Sequence, residues 1–319
     1  MAVIGTWNLE NLYRPGGQFG PRDSAAYEAK LKSLADTVGR LGPDLLAVQE
    51  VGDPLALGDL ADALDGEWHV ALSEHADGRG IRVGFLSRTP LTPVADINEF
   101  PSQVAPLQNG DSGEPSHRMG RGALTVSVSP APGSELHAVV CHLKSKLLTF
   151  PGHRFAPRDE GERARYAAYA LFRRGAEAVT VRAAADRLLD GDGGRRMVAV
   201  MGDFNDEPVA ATTQMLLGPP GSQIGTSGFK HPDRGDEVRL WNLCPLIPEN
   251  QRYSRVQDGQ PELIDHILVS RALLDRVERV FTGNEHPEQS LPSVGEDPSE
   301  RRDAPASDHA PILAALRLP

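Results

Sequence analysis

Met197-Val198-Ala199-Val200-Met201-Gly202-Asp203-Phe204-Asn205-Asp206 is the stretch on which the fold reading turns. Its apolar start, Met197 to Val200, reads as a buried strand, and Gly202 permits a tight turn at its end. The turn presents Asp203 and Asn205, a carboxylate and a carboxamide, from one strand end. A carboxylate can orient or activate a water, or take a metal, while a carboxamide can donate to a phosphate oxygen. Asp and Asn are also ordinary turn residues. What the pair means therefore depends on what the other strands deliver.

Working outward, the same pattern recurs. Val3 to Trp7 reads as a strand ending in Asn8-Leu9-Glu10-Asn11-Leu12, and Leu45 to Val48 as one ending in Gln49-Glu50-Val51. Leu136 to Cys141 ends in His142-Leu143-Lys144-Ser145-Lys146. Leu263 to Val269 contains Asp265-His266, and Ser307-Asp308-His309 precedes a closing strand, Pro311 to Leu318. Each residue alone has an ordinary reading: a turn former, a solvated carboxylate, a satisfied interior histidine or a cap. Together, apolar strands deliver Asp, Glu, Asn and His at six ends or starts, and no Gly-flanked serine nucleophile.

Between these points lie helical and further strand signals. Leu31, Leu34, Ala35, Val38 and Leu41 have helical spacing within Ala25 to Leu41, with Asp23 or Ser24 as N-cap and Gly42-Pro43 as the stop. Pro54 to Leu64, Glu162 to Leu189, where Gly175 offers a place to kink, and Ala210 to Leu217 read as further helices. Trp68 to Leu72, Ile81 to Leu86, Pro93 to Ile97, Ala123 to Val128, Val238 to Leu243, Arg252 to Val256 and Val277 to Phe281 read as strands. Pro130-Ala131-Pro132-Gly133 marks a hairpin. Pro101 to Gly120, Gly218 to Glu237 and the acidic, Pro-rich Gly283 to Pro305 read as loops. The rhythm suits two packed sheets with helices outside, in one domain over 1–319, since no linker separates two cores.

A length of 319 residues with 39% hydrophobic and 24% charged residues fits a soluble globular protein. No apolar run is long enough to span a membrane, and the N-terminus lacks a signal-peptide pattern. Cys141 and Cys244 are too few for a disulfide framework and read as buried free thiols in a reducing cytoplasm. The net charge of −11 argues against a surface that grips long nucleic acid everywhere. The charge is uneven: His142 to Arg187 holds ten Lys or Arg against five Asp or Glu, leaving −16 on the remainder. Such an island suits an anionic substrate, although the solvated face of an amphipathic helix would look similar.

These residues resemble the endonuclease/exonuclease/phosphatase family, with its deoxyribonuclease-I-like fold. The resemblance runs from Trp7-Asn8-Leu9-Glu10-Asn11-Leu12 to Ser307-Asp308-His309. Between them it takes in Gln49-Glu50-Val51, Gly84-Phe85-Leu86-Ser87-Arg88, Cys141-His142, Gly202-Asp203-Phe204-Asn205 and Ile264-Asp265-His266-Ile267-Leu268. It implies an α/β four-layer sandwich of two mixed sheets with the active cleft at a common sheet edge. By family pattern Glu50 holds Mg²⁺ or Mn²⁺, with Asn8 and Asp308 nearby. Asp203 orients the attacking water, Asn205 touches the scissile phosphate, and His309, held by Asp265, acts on the water or the phosphate. His142 stabilises developing charge or assists the leaving group.

The implied chemistry is physically consistent. A phosphodiester is anionic and repels hydroxide, so a hard cation held by oxygen donors neutralises charge, and cleavage is an in-line displacement by a positioned water. Two departures stand out. The carboxylate partner that some members place beside the residue at His142 has no obvious equivalent, Glu74 being only one candidate. His142-Leu143-Lys144-Ser145-Lys146 is unlike the versions in inositol-phosphate phosphatases and sphingomyelinases and is similar to those of bacterial nuclease-like members. Lys144 and Lys146 share a face if extended and could meet a phosphate, or could be a solvated strand end. Arg82 and Arg121 are further phosphate candidates. The His153-to-Arg165 insertion, with Arg154, Arg158, Arg163 and Arg165, is expected to border the cleft or to form a solvated helix start. The expectation is a monomeric cytoplasmic metal-dependent phosphodiesterase acting on DNA or RNA. The alternatives are a small-molecule phosphatase or phosphodiesterase of the same family and an inactive binding module.

Overall fold

A computed structural model describes residues 1–319 other than 153, 222, 284–290, 296, 297 and 319. In chain order the elements are β1 (Ala2–Leu12), α1 (Ser24–Leu41), β2 (Leu45–Val51), α2 (Pro54–Asp62), β3 (His69–Leu72), β4 (Arg82–Ser87) and β5 (Leu91–Glu99). There follow β6 (Leu107–Gln108), β7 (Pro115–Ser116), β8 (Arg118–Val128), β9 (Leu136–His142), α3 (Glu160–Leu189), β10 (Met197–Asp203), α4 (Ala211–Leu217) and β11 (Trp241–Asn242). The chain closes with β12 (Arg255–Gln257), β13 (Gln260–Glu262), β14 (Asp265–Val269), α5 (Arg271–Leu274), β15 (Val277–Thr282), β16 (Ser293–Val294) and β17 (Ile312–Leu316).

Two six-stranded mixed sheets carry the structure. The first has the order β15-β17-β1-β2-β4-β3 and the second β11-β14-β10-β9-β8-β5. Each is built around one parallel pair, β1 with β2 and β10 with β9, and the remaining pairings are antiparallel. Side-chain alternation explains the layering. Ala199 and Met201 of β10 join Ile4, Ala47 and Phe85 of the first sheet in a core between the sheets. Val198 and Val200, pointing the other way, join Val181, Ala185 and Leu189 of α3. On the outer face of the first sheet, Leu46 and Val48 join Leu34 and Val38 of α1 and Leu57 and Leu60 of α2. With both faces covered, the central strands must be apolar throughout, which is why they read as runs rather than alternations.

Helix ends follow their local chemistry. Asp23 caps α1 by accepting from the N–H of Ala26 at 2.9 Å, and Gly42 ends it in the left-handed region at φ 60°. Asp159 caps α3, which begins two residues earlier than Glu162 and runs unbroken through Gly175.

Several expectations need correction, among them the Gly283 to Pro305 loop, which carries β16 paired with β12. Gly202 lies inside β10 rather than in a turn: a Cβ there would sit 1.9 Å from the carbonyl oxygen of Cys141 on the neighbouring strand. The Val238–Leu243 strand shrinks to two residues, because Leu240 donates instead to the carbonyl of Leu217 and the Val238 carbonyl accepts from Arg182. Pro101 to Gly120 is not all loop. It carries the β6–β7 ribbon, tied to α3 where Asp111 accepts from Arg165 and from the hydroxyl of Tyr169.

Candidate active site

The two parallel pairs end at the same edge of the sandwich, and the polar residues found in the sequence converge there. From the second sheet come His142 and Asp203, which are paired in register, and Asp265, paired with Asp203 from the other side. Asp203 is 1% exposed. One of its oxygens, Oδ2, accepts from Asn8 Nδ2 at 3.0 Å and lies 3.3 Å from Nε2 of His142 and 4.0 Å from Nε2 of His309. The other, Oδ1, accepts from the backbone N–H of Asn205 at 2.8 Å. Burial pushes the Asp203 carboxyl up to about 7, helped by the neighbouring Asp265, while His309 and the hydrogen bonds oppose the shift.

The two histidines are driven apart. His309 Nδ1 meets Asp265 Oδ2 at 2.7 Å, and although burial opposes its charge, Asp265, Asp308 and Asp203 raise its pKa to about 10. His142 is equally buried, and burial, reinforced by Arg121 and His309, holds its pKa well below the usual imidazole value. The site thus pairs an imidazolium with a neutral imidazole across one carboxylate. His142 Nδ1 has no hydrogen-bond partner. The carboxylate beside His142 is Asp203; Glu74 is exposed, and its own N–H goes to Asp96.

His309 is set by contacts from three segments. Its backbone N–H donates to Ser307 Oγ, whose hydroxyl donates to the carbonyl of Asn8 at 2.6 Å. Its carbonyl accepts from the Trp7 indole at 2.8 Å. Ser254 holds the partner: its hydroxyl accepts from the N–H groups of Ile264 and Asp265 at 3.2 Å each. His266, next to Asp265, is structural, set between Asp206 and Asn242 and against the Phe204 ring.

The first sheet delivers Asn8, Glu10, Asn11 and Glu50 on an unusual backbone. Glu10, Asn11 and Glu50 have φ of 50°, 53° and 62°, and Asn205 across the cleft has 52°; these are four of six such non-glycine residues among those described. Left-handed conformation costs a non-glycine residue on the order of 1 kcal/mol or more, so local bonds must hold it. They are present: Glu10 N–H donates to Asn8 Oδ1 and Asn11 N–H to Glu50 Oε2, both at 2.9 Å. Register shifts in β1–β2 and β2–β4 at these residues re-aim the side chains.

The oxygens of Asn8, Glu50 and Asp308 are a donor set suited to a hard divalent cation. Glu50 takes hydrogen bonds only from neutral groups, Asn8 Nδ2 at 3.3 Å and Asn11 N–H, and has no ion pair among the described residues. Asp308 Oδ2 is 3.6 Å from Arg255 Nε without a hydrogen bond. Asp203, Asp265 and His309 also converge closely enough to hold an ion. His309 Nδ1 is already engaged by Asp265 Oδ2 at 2.7 Å, so only Nε2 of that imidazole faces the space between the two carboxylates.

Two phosphate candidates are not free. The Lys144 ammonium is folded onto its own loop, donating to the carbonyls of Ser145 and Leu147, and burial pulls it down to about 8. The Arg82 guanidinium donates to the carbonyl of Gly80. Lys146 remains, 47% exposed and 3.5 Å from Asp206. Arg121 pairs with Asp77 at 3.0 Å and leaves Nε buried without a partner. Sequence reading missed Arg79, which donates to Asn11 Oδ1 at 3.3 Å and helps depress His142. The basic island is largely neutralised, by its own acids and by Asp111 and Asp206 outside it: Arg154, Arg163, Arg165, Arg173, Arg174 and Arg182 all sit in ion pairs. His153 lies outside the described residues.

The model of the endonuclease/exonuclease/phosphatase family matches residues 5–309, so the chain belongs to that family of phosphoester hydrolases. No curated protein sequence matches it. Among solved structures it is similar to the mannosyl-6-phosphatase of Bacteroides thetaiotaomicron VPI-5482, with 16% identity, all of both chains covered and a TM-score of 0.56. It is similar to truncated TDP2 of Caenorhabditis elegans at 16% identity, covering 99% of this chain and 98% of that one, with a TM-score of 0.56. The 3'-5' exonuclease NExo of Neisseria meningitidis matches at 16% identity and a TM-score of 0.54, covering 99% and 100%. The shared fold is the deoxyribonuclease-I-like sandwich. No helix among the described residues is long and apolar enough to cross a membrane.

Proposed function

We propose that the protein is a metal-dependent phosphodiesterase that cleaves nucleic acid through contact with a few phosphates. The observation that carries this is Asp203, buried with His142 at 3.3 Å and His309 at 4.0 Å from one carboxylate oxygen, where burial pushes its carboxyl up to about 7. Asp203 accepts the proton of the attacking water, a role for which a pKa near the working pH is best. His309, oriented by Asp265, directs its Nε2–H at the phosphoryl oxygens and stabilises the charge that builds on them. Asn205 Nδ2 is held by the carbonyl of Leu143 at 3.0 Å, and its second amide hydrogen is available to the phosphate. His142 keeps Asp203 in place and faces the leaving-group side. Glu50, with Asn8 and Asp308, holds Mg²⁺ or Mn²⁺, which when bound supplies charge neutralisation on the phosphate.

Arg79, Arg121 and Lys146 are cations beside this cleft. Together with the likeness to an exonuclease they support a nucleic-acid substrate. The neutralised island favours the second reading, a small phosphoester, because it leaves little surface for an extended polyanion. Both rims of the cleft come from one chain and one shared core, which supports a single domain over 1–319 that works as a monomer.

The test is hydrolysis of plasmid DNA, single-stranded DNA, RNA, bis-p-nitrophenyl phosphate and p-nitrophenyl phosphate, with Mg²⁺, Mn²⁺ or EDTA. Metal-dependent cleavage of a polymer, lost in Asp203→Ala, is expected. Activity confined to the small esters would replace the nuclease reading with the second one.

A further inference from the structure

The β12–β13 hairpin brings one more cation to the cleft. Arg255, the first residue of β12, forms an antiparallel bridge with His309, and residues opposed in this way have their Cβ atoms about 5 Å apart. The backbone beneath it is fixed on both sides. Ser254 donates its N–H to the carbonyl of Glu262, and its own carbonyl accepts from the N–H of Ala310, both at 2.8 Å. The Ser254 hydroxyl accepts from the N–H of Asp265. The start of β12 is therefore pinned to the two segments that carry Asp265 and His309.

The side chain is not pinned. Among the described residues the Arg255 guanidinium donates no hydrogen bond, and its Nε is buried without an acceptor. Asp308 lies 3.6 Å from Nε, beyond hydrogen-bond range. The side chain is 24% exposed, so a ligand can reach it. Other arginines at this edge are occupied: Arg79 with Asn11, Arg82 with the Gly80 carbonyl, Arg121 with Asp77 and Arg301 with Glu10. A buried donor left unpaired costs the folded chain stability. An anionic phosphate entering beside Asp203, Asp265 and Asp308 is repelled unless a cation receives it.

We propose that Arg255 is a substrate-binding residue that holds a non-bridging oxygen of the scissile phosphate beside His309. This rests on the phosphodiesterase reading given above. Guanidinium stays charged at every working pH, and its planar fork of N–H donors matches phosphoryl oxygens. A lysine ammonium has neither the fork nor the reach. The fixed backbone supplies the position, and the unpaired side chain supplies donors that the substrate alone satisfies.

The full-length chain tests this with Arg255→Met, Arg255→Lys and Arg255→Ala. Arg255→Met is expected to lower kcat/KM about 10–100-fold, on bis-p-nitrophenyl phosphate and on polymer alike, as loss of hydrogen bonds to a charged group does. Its unfolding temperature should not fall, because the guanidinium donates no hydrogen bond that would be lost. Arg255→Lys should recover little of the rate. Arg255→Ala should regain activity in dilute guanidinium chloride but not in sodium chloride of equal ionic strength, a rescue that a purely structural role would not show. Inorganic phosphate, titrated calorimetrically with Mg²⁺ present, should bind Arg255→Met at least about tenfold more weakly than wild type. Near-normal rates and phosphate affinity in Arg255→Met would overturn the proposal. So would a loss confined to the polymer, or one that tracks a lowered unfolding temperature and resists guanidinium. A wild type that turned over none of the esters would overturn the phosphodiesterase reading instead, and the phosphate titration would still decide the role of Arg255.

Discussion

The two rims of the cleft solve one problem, holding negative charge at a sheet edge, in opposite ways. The second-sheet rim buries it: Asp203 and Asp265 are each 1% exposed, one imidazolium stands between them, and the strands arrive in regular register. The first-sheet rim keeps Glu50 partly exposed on left-handed backbone, pairs Glu10 with Arg301, and breaks register to do so. Burial tunes proton affinity, so the second rim suits proton transfer. Partial exposure with oxygen donors suits a cation that must exchange with solvent. The difference teaches that equal numbers of carboxylates on matching strand ends need not do equal chemistry.

Removing the centre of the buried rim should have the largest effect. Asp203→Ala is expected to lower kcat by about 10²–10⁴-fold, the usual contribution of a positioned general base, without lowering the unfolding temperature. It removes a desolvated acid whose neighbours can pair with water. Steady-state rates with the best substrate of the panel check it, and near-normal turnover would remove Asp203 from the chemistry. Asp265→Ala should differ in kind. It leaves the His309 imidazolium buried without its 2.7 Å partner, and breaking such a pair costs about 3–5 kcal/mol, measurable by urea denaturation.

The exposed rim should answer through metal rather than stability. Glu50→Gln keeps the shape and the Asn11 hydrogen bond but loses the charge. Loss of one ligand charge is expected to weaken Mn²⁺ by at least about tenfold, with little change in the unfolding midpoint. If stability fell and metal affinity held, the contrast between the rims would be wrong.

How far the sequence shows this contrast follows from what each rim is made of. The buried rim was legible because apolar strands end abruptly in Asp, His and Asn, and periodicity reports burial directly. Asn8, Glu50, His142, Asp203, Asn205, Asp265, Asp308 and His309 all meet at one edge. The support was less legible, because it depends on pairing between distant segments. Arg301 lies 291 residues from Glu10, inside a loop with no period. Lys30 does leave a signal, a charge in line with Tyr27, Leu34 and Val38 on the buried stripe of α1. Charge counting failed for the basic island because a net surplus says nothing of pairing. Four of the five acids within the segment, with Asp111 and Asp206 outside it, take up six of its eight arginines.

Lys144 and Lys146 carry the same comparison down to neighbouring residues and the smallest expected effect. A fully extended strand would place both on one face, yet the Lys144 N–H is bound by Glu177 at 2.6 Å and its ammonium turns back onto the loop. Lys146 stays 47% exposed beside Asp206. On a nucleic-acid substrate, Lys146→Ala should therefore reduce the slope of log affinity against log salt by about one, as loss of one phosphate contact does. Lys144→Met should leave that slope unchanged and lower the rates on polymer and on bis-p-nitrophenyl phosphate alike, by loosening the 144–147 loop. Binding to the Asp203→Ala background at several salt concentrations separates the two. Equal slope changes would mean that the Lys144 ammonium leaves its carbonyls when a phosphate arrives, and the division of labour between the two lysines would then have to be redrawn.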